Sequence, residues 1–409
     1  MNSSLFRKTE SRAIRNVLVL ALAQATLGAQ LPMVFILGGL AGKYLSANSC
    51  LATLPISMVI IGSTIAAPFL SSFMQHYGRK IGFVVGAING GVGAAICSFA
   101  IIQNSFGLFL LGSLITGFYM ASYGFYRFAA TDTATQEFRP KAISYVLAAG
   151  LISAVFGPQL VKSTFDLSIY PFLGSYITIA ILNFLGLSIF LFLDIPVSKS
   201  DKELRNARTV TQLLSSRCIK MAVVCAMIAY ASMNLVMTAT PLAVVGCGHA
   251  RADAADVVMV HVLSMSIPSF FTGHLILRYG INKILLLGMV ILLSSALVSF
   301  SGTHLKVFYL TLTLLGVGWN FTFIAATTLL ANSHEPFERG RAQGLNDMFV
   351  FGFVAIASLA SGVLMNCTGG NSAEGWALVN IAVMPLVLIS VVVLTIFKVS
   401  TKEIKSSNY

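Results

Sequence analysis

The sequence predicts an all-α integral membrane protein, with twelve transmembrane helices in two six-helix, pseudo-symmetric halves. Three observations carry that expectation. Hydrophobic residues make up 56% of the 409-residue chain and charged residues only 10%, too little polar surface for a water-soluble globule. The apolar residues gather into runs long enough to cross the hydrocarbon core, which takes roughly 20 residues of helix. Lysine and arginine then alternate between rich and poor connections along the chain.

The runs follow in order. The first, 14–42, succeeds a basic and polar segment, 1–13. Such an order also suits a secretion signal, but the apolar stretch exceeds a signal core and no small-residue cleavage site follows it, so it reads as a span. The second and third, 49–74 and 81–102, flank QHYGRKIGFVVG at 75–86. The fourth and fifth, 106–130 and 142–163, are joined by EFRPKAIS, and the sixth covers 170–194. A charged, Ser-rich stretch, PVSKSDKELRNARTVTQLLSS at 195–215, is the natural divide. Beyond it come 216–246, 254–277, 284–302, 306–332, 342–366 and 373–397. The runs are too long and continuous for barrel strands.

With the N-terminus in the cytoplasm, 22 of the 26 lysines and arginines fall inside, leaving Lys43, Lys162, Arg251 and Lys306 outside. One missed span would invert every later loop, so the split supports twelve spans with both termini cytoplasmic. The net charge of +12 follows from this bias against anionic lipid, and no nucleic-acid partner is implied. The six cysteines show no CxxC or metal-ligand spacing and read as isolated thiols. No metal and no cofactor is expected.

The halves repeat. The turn at 75–86 recurs as LRYGINKILLLG at 277–288, an offset of 202. EFRPKAIS at 137–144 recurs as FERGRAQG at 337–344, an offset of 200. The expected division is an N-terminal half at 1–194, a cytoplasmic linker at 195–215, a C-terminal half at 216–397 and a cytoplasmic tail at 398–409. Six spans per half make parallel repeats, the arrangement of a transporter whose halves rock about a midplane site.

The layout and the two turns resemble the major facilitator superfamily, whose signature in this loop is G-x-x-x-D-R-x-G-R-R/K. At 71–80 this chain reads SSFMQHYGRK: Gly78, Arg79 and Lys80 match, while Ser71, Gln75 and His76 replace the first Gly, the Asp and the Arg. The second copy keeps Gly273, Arg278 and Gly280, with Leu277 at the Asp position. In the family that Asp helps to lock the inward-facing gate, so its absence from both turns implies that the lock is either missing here or built elsewhere. The resemblance covers essentially the whole chain and implies a solute transporter, neither an enzyme nor a channel.

Charges inside spans are few and each raises a question. Arg127 and Asp132 stand at the inner end of the fourth span, with Arg341 and Asp347 at that of the eleventh. Pairing of Arg127 or Arg341 with Asp347 would make an inner gate; alternatively each charge reaches its own interface. His261, within the eighth span, is either a proton carrier or a buried neutral imidazole bonded across helices. Asp132 and Asp347 are equally open as proton sites. His334, Glu335 and Glu338 read as a solvated inner loop. Gly86 and Gly90 make a GxxxG suited to close helix packing.

In the resembled fold the first, fourth, seventh and tenth spans line the solute cavity. Their mid-depth polar and aromatic residues are Gln24 and the outer Gln30, Tyr119 and Tyr123, Tyr230 and Asn234, and Trp319 and Asn320. Buried amides and rings without midplane Lys or Arg suit a small, neutral or aromatic organic solute. A vitamin importer of the riboflavin type is one expectation. A proton-coupled multidrug or metabolite efflux antiporter is the alternative, although SLITG at 113–117 lacks the antiporter Arg and Gln, and only Gly150, Gly157 and Pro158 survive of a Gly-rich fifth span. The expected partners are the solute, the lipid bilayer and, where coupling exists, protons. The expected setting is a bacterial inner membrane and the expected state a monomer.

Overall fold

A computed structural model describes residues 3–135, 138–196, 208–334, 338–367 and 370–396. Most of the expected linker and the expected tail, 398–409, fall outside them, as does Glu335. Every regular element among the described residues is helical, and twelve segments are long and apolar enough to cross a membrane. The chain divides into two compact units, Met1–Lys199 and Ser200–Tyr409.

In the first unit, α1 (Ser3–Thr26) and α2 (Gln30–Leu45) form one span interrupted by a tight turn at Leu27–Ala29. Next come α3 (Leu54–Tyr77) and α4 (Arg79–Ile102). The fourth span is α5 (Phe106–Gly124) continued by α6 (Tyr126–Asp132), and α7 (Arg139–Thr164) and α8 (Leu173–Phe190) complete the unit. Ser105 starts α5 by accepting a hydrogen bond from the Leu108 amide, one of the donors a helix start leaves unmet. The interior gathers Leu20, Leu27, Phe83, Tyr119, Tyr126 and Phe190, all fully buried.

Gly86 and Gly90 show why α4 lies so close to its neighbours. A Cβ on Gly86 would stand 2.3 Å from Ser122 Oγ, and one on Gly90 2.5 Å from Asn183 Oδ1. The GxxxG therefore packs helices within its own half.

In the second unit a short helix, α9 (Val210–Ser215), precedes α10 (Arg217–Gly246). Thr209 and Gln212 close a reciprocal capping box at its start. The eighth span is broken into α11 (Arg251–Ser266) and α12 (Ser269–Tyr279) at Ile267-Pro268, since proline cannot donate to the helical ladder. Then follow α13 (Ile281–Val298), α14 (Leu305–Ala331), α15 (Arg339–Asn366) and α16 (Ser372–Ile396).

The two repeated turns share one backbone conformation. Gly78 has φ 92° and ψ 157°, and Gly280 has φ 88° and ψ 154°. This region is essentially glycine-only, which is why both repeats keep the residue. The expectation of six isolated thiols needs correcting: Cys97, Cys218, Cys225 and Cys247 are free, but Cys50 and Cys367 are disulfide-bonded.

Candidate functional site

The polar residues expected to line a solute path divide between the two units. In the first, Gln24 of α1 donates from Nε2 to Tyr123 Oη at 2.5 Å. Tyr119, Tyr123 and Tyr126 follow one another along α5 and α6, with ring centroids 6.2 and 5.6 Å apart. Tyr126 meets Phe83 edge-on at 4.9 Å. Tyr119 and Tyr126 are fully buried.

Gln30 does a different job. It exchanges amide hydrogen bonds with Asn183 of α8 at 3.1 and 3.0 Å and donates to Leu27 O at 3.2 Å, fully buried. Those bonds hold the break in the first span.

In the second unit, Tyr230 of α10 meets Trp319 and Phe323 of α14 edge-on, each at 5.4 Å, and Phe351 of α15 at 5.8 Å. Trp319 and Phe323 are stacked, 4.9 Å apart with planes 11° from parallel. Asn234 is 1% exposed and accepts from Thr238 Oγ1 at 3.3 Å. Asn320 is one residue from Trp319 but serves packing. Its Nδ2 donates to Met265 O at 2.7 Å and Ser269 Oγ at 2.6 Å, while its Oδ1 accepts from Thr272 Oγ1 at 2.7 Å. It thereby ties α14 to the α11–α12 break.

His261 is fully buried, with Nδ1 2.8 Å from Leu312 O. A carbonyl only accepts, so Nδ1 carries the proton and Nε2 is left a bare acceptor, buried and unpartnered. The imidazole joins α11 to α14.

At the ends of the spans, Arg79 Nε donates to Asp132 Oδ2 at 2.9 Å, and its guanidinium lies 5.8 Å from the Phe125 ring centroid. Lys80 Nζ donates to Leu191 O at 2.8 Å, a cation at the carboxyl end of α8. Arg127 is exposed and covers the Phe128 ring at 4.8 Å. Arg341 donates from Nη1 to Arg208 O at 2.5 Å, and Asp347 Oδ1 accepts from Asn346 Nδ2 at 3.1 Å. Arg278 lies over the Tyr279 ring at 5.3 Å, and Gly273 is exposed.

Glu338 corrects the reading of its loop as solvated. It is 2% exposed and takes two hydrogen bonds from the Arg208 side chain, at 2.7 and 2.6 Å, plus one from the Arg208 amide at 3.0 Å. Arg208 also donates to Ser333 O at 3.1 Å. Sequence reasoning missed this pair because its members are 130 residues apart. It also missed Phe323 and Phe351. Phe323 follows Trp319 by four residues and was open to helical spacing, whereas Phe351 arrives only through packing.

Comparison with known proteins places these features. Residues 17–224 and 222–408 each match the Major Facilitator Superfamily. Over 93% of this chain, and 95% of the relative, the sequence is 39% identical to the riboflavin transporter RfnT of Brucella anthropi. It is 29% identical to the uncharacterized MFS-type transporter YddS of Bacillus subtilis, covering 92% and 89% of the two chains. The crystal structure of the nucleoside transporter NupG superposes with a TM-score of 0.70 at 17% identity, covering 95% of this chain and 99% of that one, which shows the fold.

Proposed function

We propose that this chain, which belongs to the Major Facilitator Superfamily and is a multi-pass membrane transporter rather than an enzyme, imports riboflavin. The observation that carries the reading is the near-full-length similarity to a riboflavin transporter. The chemistry of the chain supports it. Riboflavin is a neutral, planar ring bearing a polyol. The interiors of the first, fourth, seventh and tenth spans carry aromatic rings and amides but no Lys or Arg away from their ends. A phosphate ester or dicarboxylate would call for such a cation.

Within this reading the transporter sits in the inner membrane as a monomer, with both termini cytoplasmic. Gln24, Tyr119, Tyr123, Tyr230, Asn234 and Trp319 serve the solute, and Asn320 supports them by fixing α14. Arg127, Arg341 and Asp347 guard the inner side, with Arg79 and Asp132 bracing the first turn. His261 bonds across two helices, and Asp132 and Asp347 stand equally open as proton sites. The test is uptake of labelled riboflavin into proteoliposomes, with and without an imposed pH gradient. Accumulation driven by the gradient supports import with proton coupling. Equilibration without it supports facilitated diffusion of the same solute. No riboflavin uptake, with apolar dyes expelled instead, overturns the reading in favour of efflux.

A further inference from the structure

The four rings of Tyr230, Trp319, Phe323 and Phe351 pack as an apolar core cluster would, but packing leaves two features unexplained. Trp319 Nε1 is shielded from water and has no hydrogen-bond partner among the described residues, although a buried indole N–H ordinarily finds one. All four rings are also only half-buried, so the cluster is not sealed on every side. Trp376 provides the contrast. Its Nε1 lacks a partner too, but its ring is 1% exposed and packed against Phe308 at 5.0 Å, which leaves no place for a ring-sized solute. Tyr119 and Tyr126 are likewise fully enclosed. The amide nearest to Trp319 in sequence, on Asn320, is already saturated by Met265, Ser269 and Thr272. Among the described residues, Trp319 is the tryptophan that joins an unmet donor to an accessible aromatic surface.

We infer that Trp319 determines which ring the transporter accepts. Its N–H, closed off while the four rings pack on one another, donates to an acceptor on the edge of a planar heteroaromatic ring that enters between them, and the cluster contacts that ring by stacking and edge-to-face approach. The inference rests on the riboflavin reading and sharpens it. The isoalloxazine ring carries carbonyl oxygens and bare ring nitrogens along its edge, and so supplies the acceptor. A purely hydrocarbon ring of the same size would leave the indole N–H unmet and be discriminated against.

The experiment is riboflavin uptake into proteoliposomes by the wild type, Trp319→Phe and Trp319→Leu. Lumiflavin, which has the ring without the ribityl chain, is the competitor. Trp319→Phe keeps a ring and loses the donor, so KM for riboflavin should rise about fivefold with kcat little changed. Trp319→Leu loses both, and KM should rise further, about tenfold or more. The inhibition constant of lumiflavin should rise in parallel in both variants, because the altered contact is with the ring. Riboflavin transport with an unchanged KM in both variants would overturn the inference alone. So would a raised KM with unaltered lumiflavin inhibition, which would place the lost contact on the ribityl chain. A wild type that neither carries riboflavin nor is inhibited by lumiflavin would remove the riboflavin reading and this inference together.

Discussion

Gly78 and Gly280 turn the chain through nearly identical angles, yet the charges around them are arranged differently. After Gly78 comes Arg79, which reaches Asp132 at the end of the fourth span, 2.9 Å away. After Gly280 comes Ile281, and Arg278 on the other side of the glycine lies over a tyrosine ring. The position that repeats Asp132, at the loop offset of 200, is Asn332. The second half puts its carboxylate six residues later, at Glu338, where the first half has Phe138. That carboxylate is met by Arg208, which precedes α9. The repeat thus retains the backbone a tight turn demands. Each half then braces one end with an ion pair drawn from whichever positions carry the partners.

The two ion pairs differ most in burial, and burial should set how much each matters. Glu338 is 2% exposed and its partner Arg208 36%, whereas Arg79 and Asp132 are 24% and 32% exposed. Arg208→Met would strip the buried Glu338 carboxylate of the guanidinium that donates two hydrogen bonds to it. The expected loss is about 2–3 kcal/mol, below the fully buried case because Arg208 is partly in water. The double variant Arg208→Met with Glu338→Met should recover most of it. Thermal unfolding in detergent measures both. A double variant no better than the single would mean that the pair itself is not what stabilises this end, and the comparison would break there.

The backbone side of the comparison is tested by Gly78→Ala and Gly280→Ala. Each forces a Cβ into a glycine-only conformation, at a cost of about 1–3 kcal/mol. A Cβ on Gly280 meets nothing within 4 Å, so the penalty there is conformational alone. Because the two glycines share one backbone conformation, the conformational part of the two losses should be similar, despite the different charges nearby. A large loss at Gly78 with none at Gly280 would show that the Arg79–Asp132 pair, and not the turn, makes the first position sensitive.

Much of this architecture is written in residue patterns that act locally. Twelve apolar runs and a charge count define the spans because crossing a bilayer is a constraint on every residue of a run. The glycine turns are legible because positive φ excludes nearly everything else. Breaks at Leu27–Ala29 and Gly124-Phe125 are not, since the apolar composition continues through them. Glu338 was misread because a polar loop looks solvated until Arg208 is folded onto it. Trp319 and Tyr230 were readable as mid-depth aromatics, but their joint cluster depends on α15 delivering Phe351, which no local pattern states. Asn320 looked like a solute ligand because sequence cannot tell on which side of a helix the packing partners stand.

The smallest expected effect lies at the end of the first unit where Asp194 joins α8 to α1. Its carboxylate accepts from Arg12 Nη2 at 2.6 Å and from Arg15 Nη2 at 2.8 Å, while its backbone exchanges bonds with Asn16 at 2.8 and 2.9 Å. The hydrogen bond from Arg12, with the charges of Arg12 and Arg15, holds the carboxyl below the usual carboxylate range. A carboxyl depressed in the folded state contributes stability that is fully present above its unfolded value, about pH 4, and is lost as pH falls through the lower folded value. Asp194 is 51% exposed, so solvent screens the pair and the contribution falls well short of that at Glu338. Asp194→Asn should lower Tm slightly at neutral pH and flatten the decline of Tm below about pH 4. An Asp194→Asn protein whose acid decline matches the wild type would show that the backbone bonds to Asn16, and not the carboxylate, fasten α8 to α1. The bracing of this end would then owe nothing to charge, unlike that of the second unit.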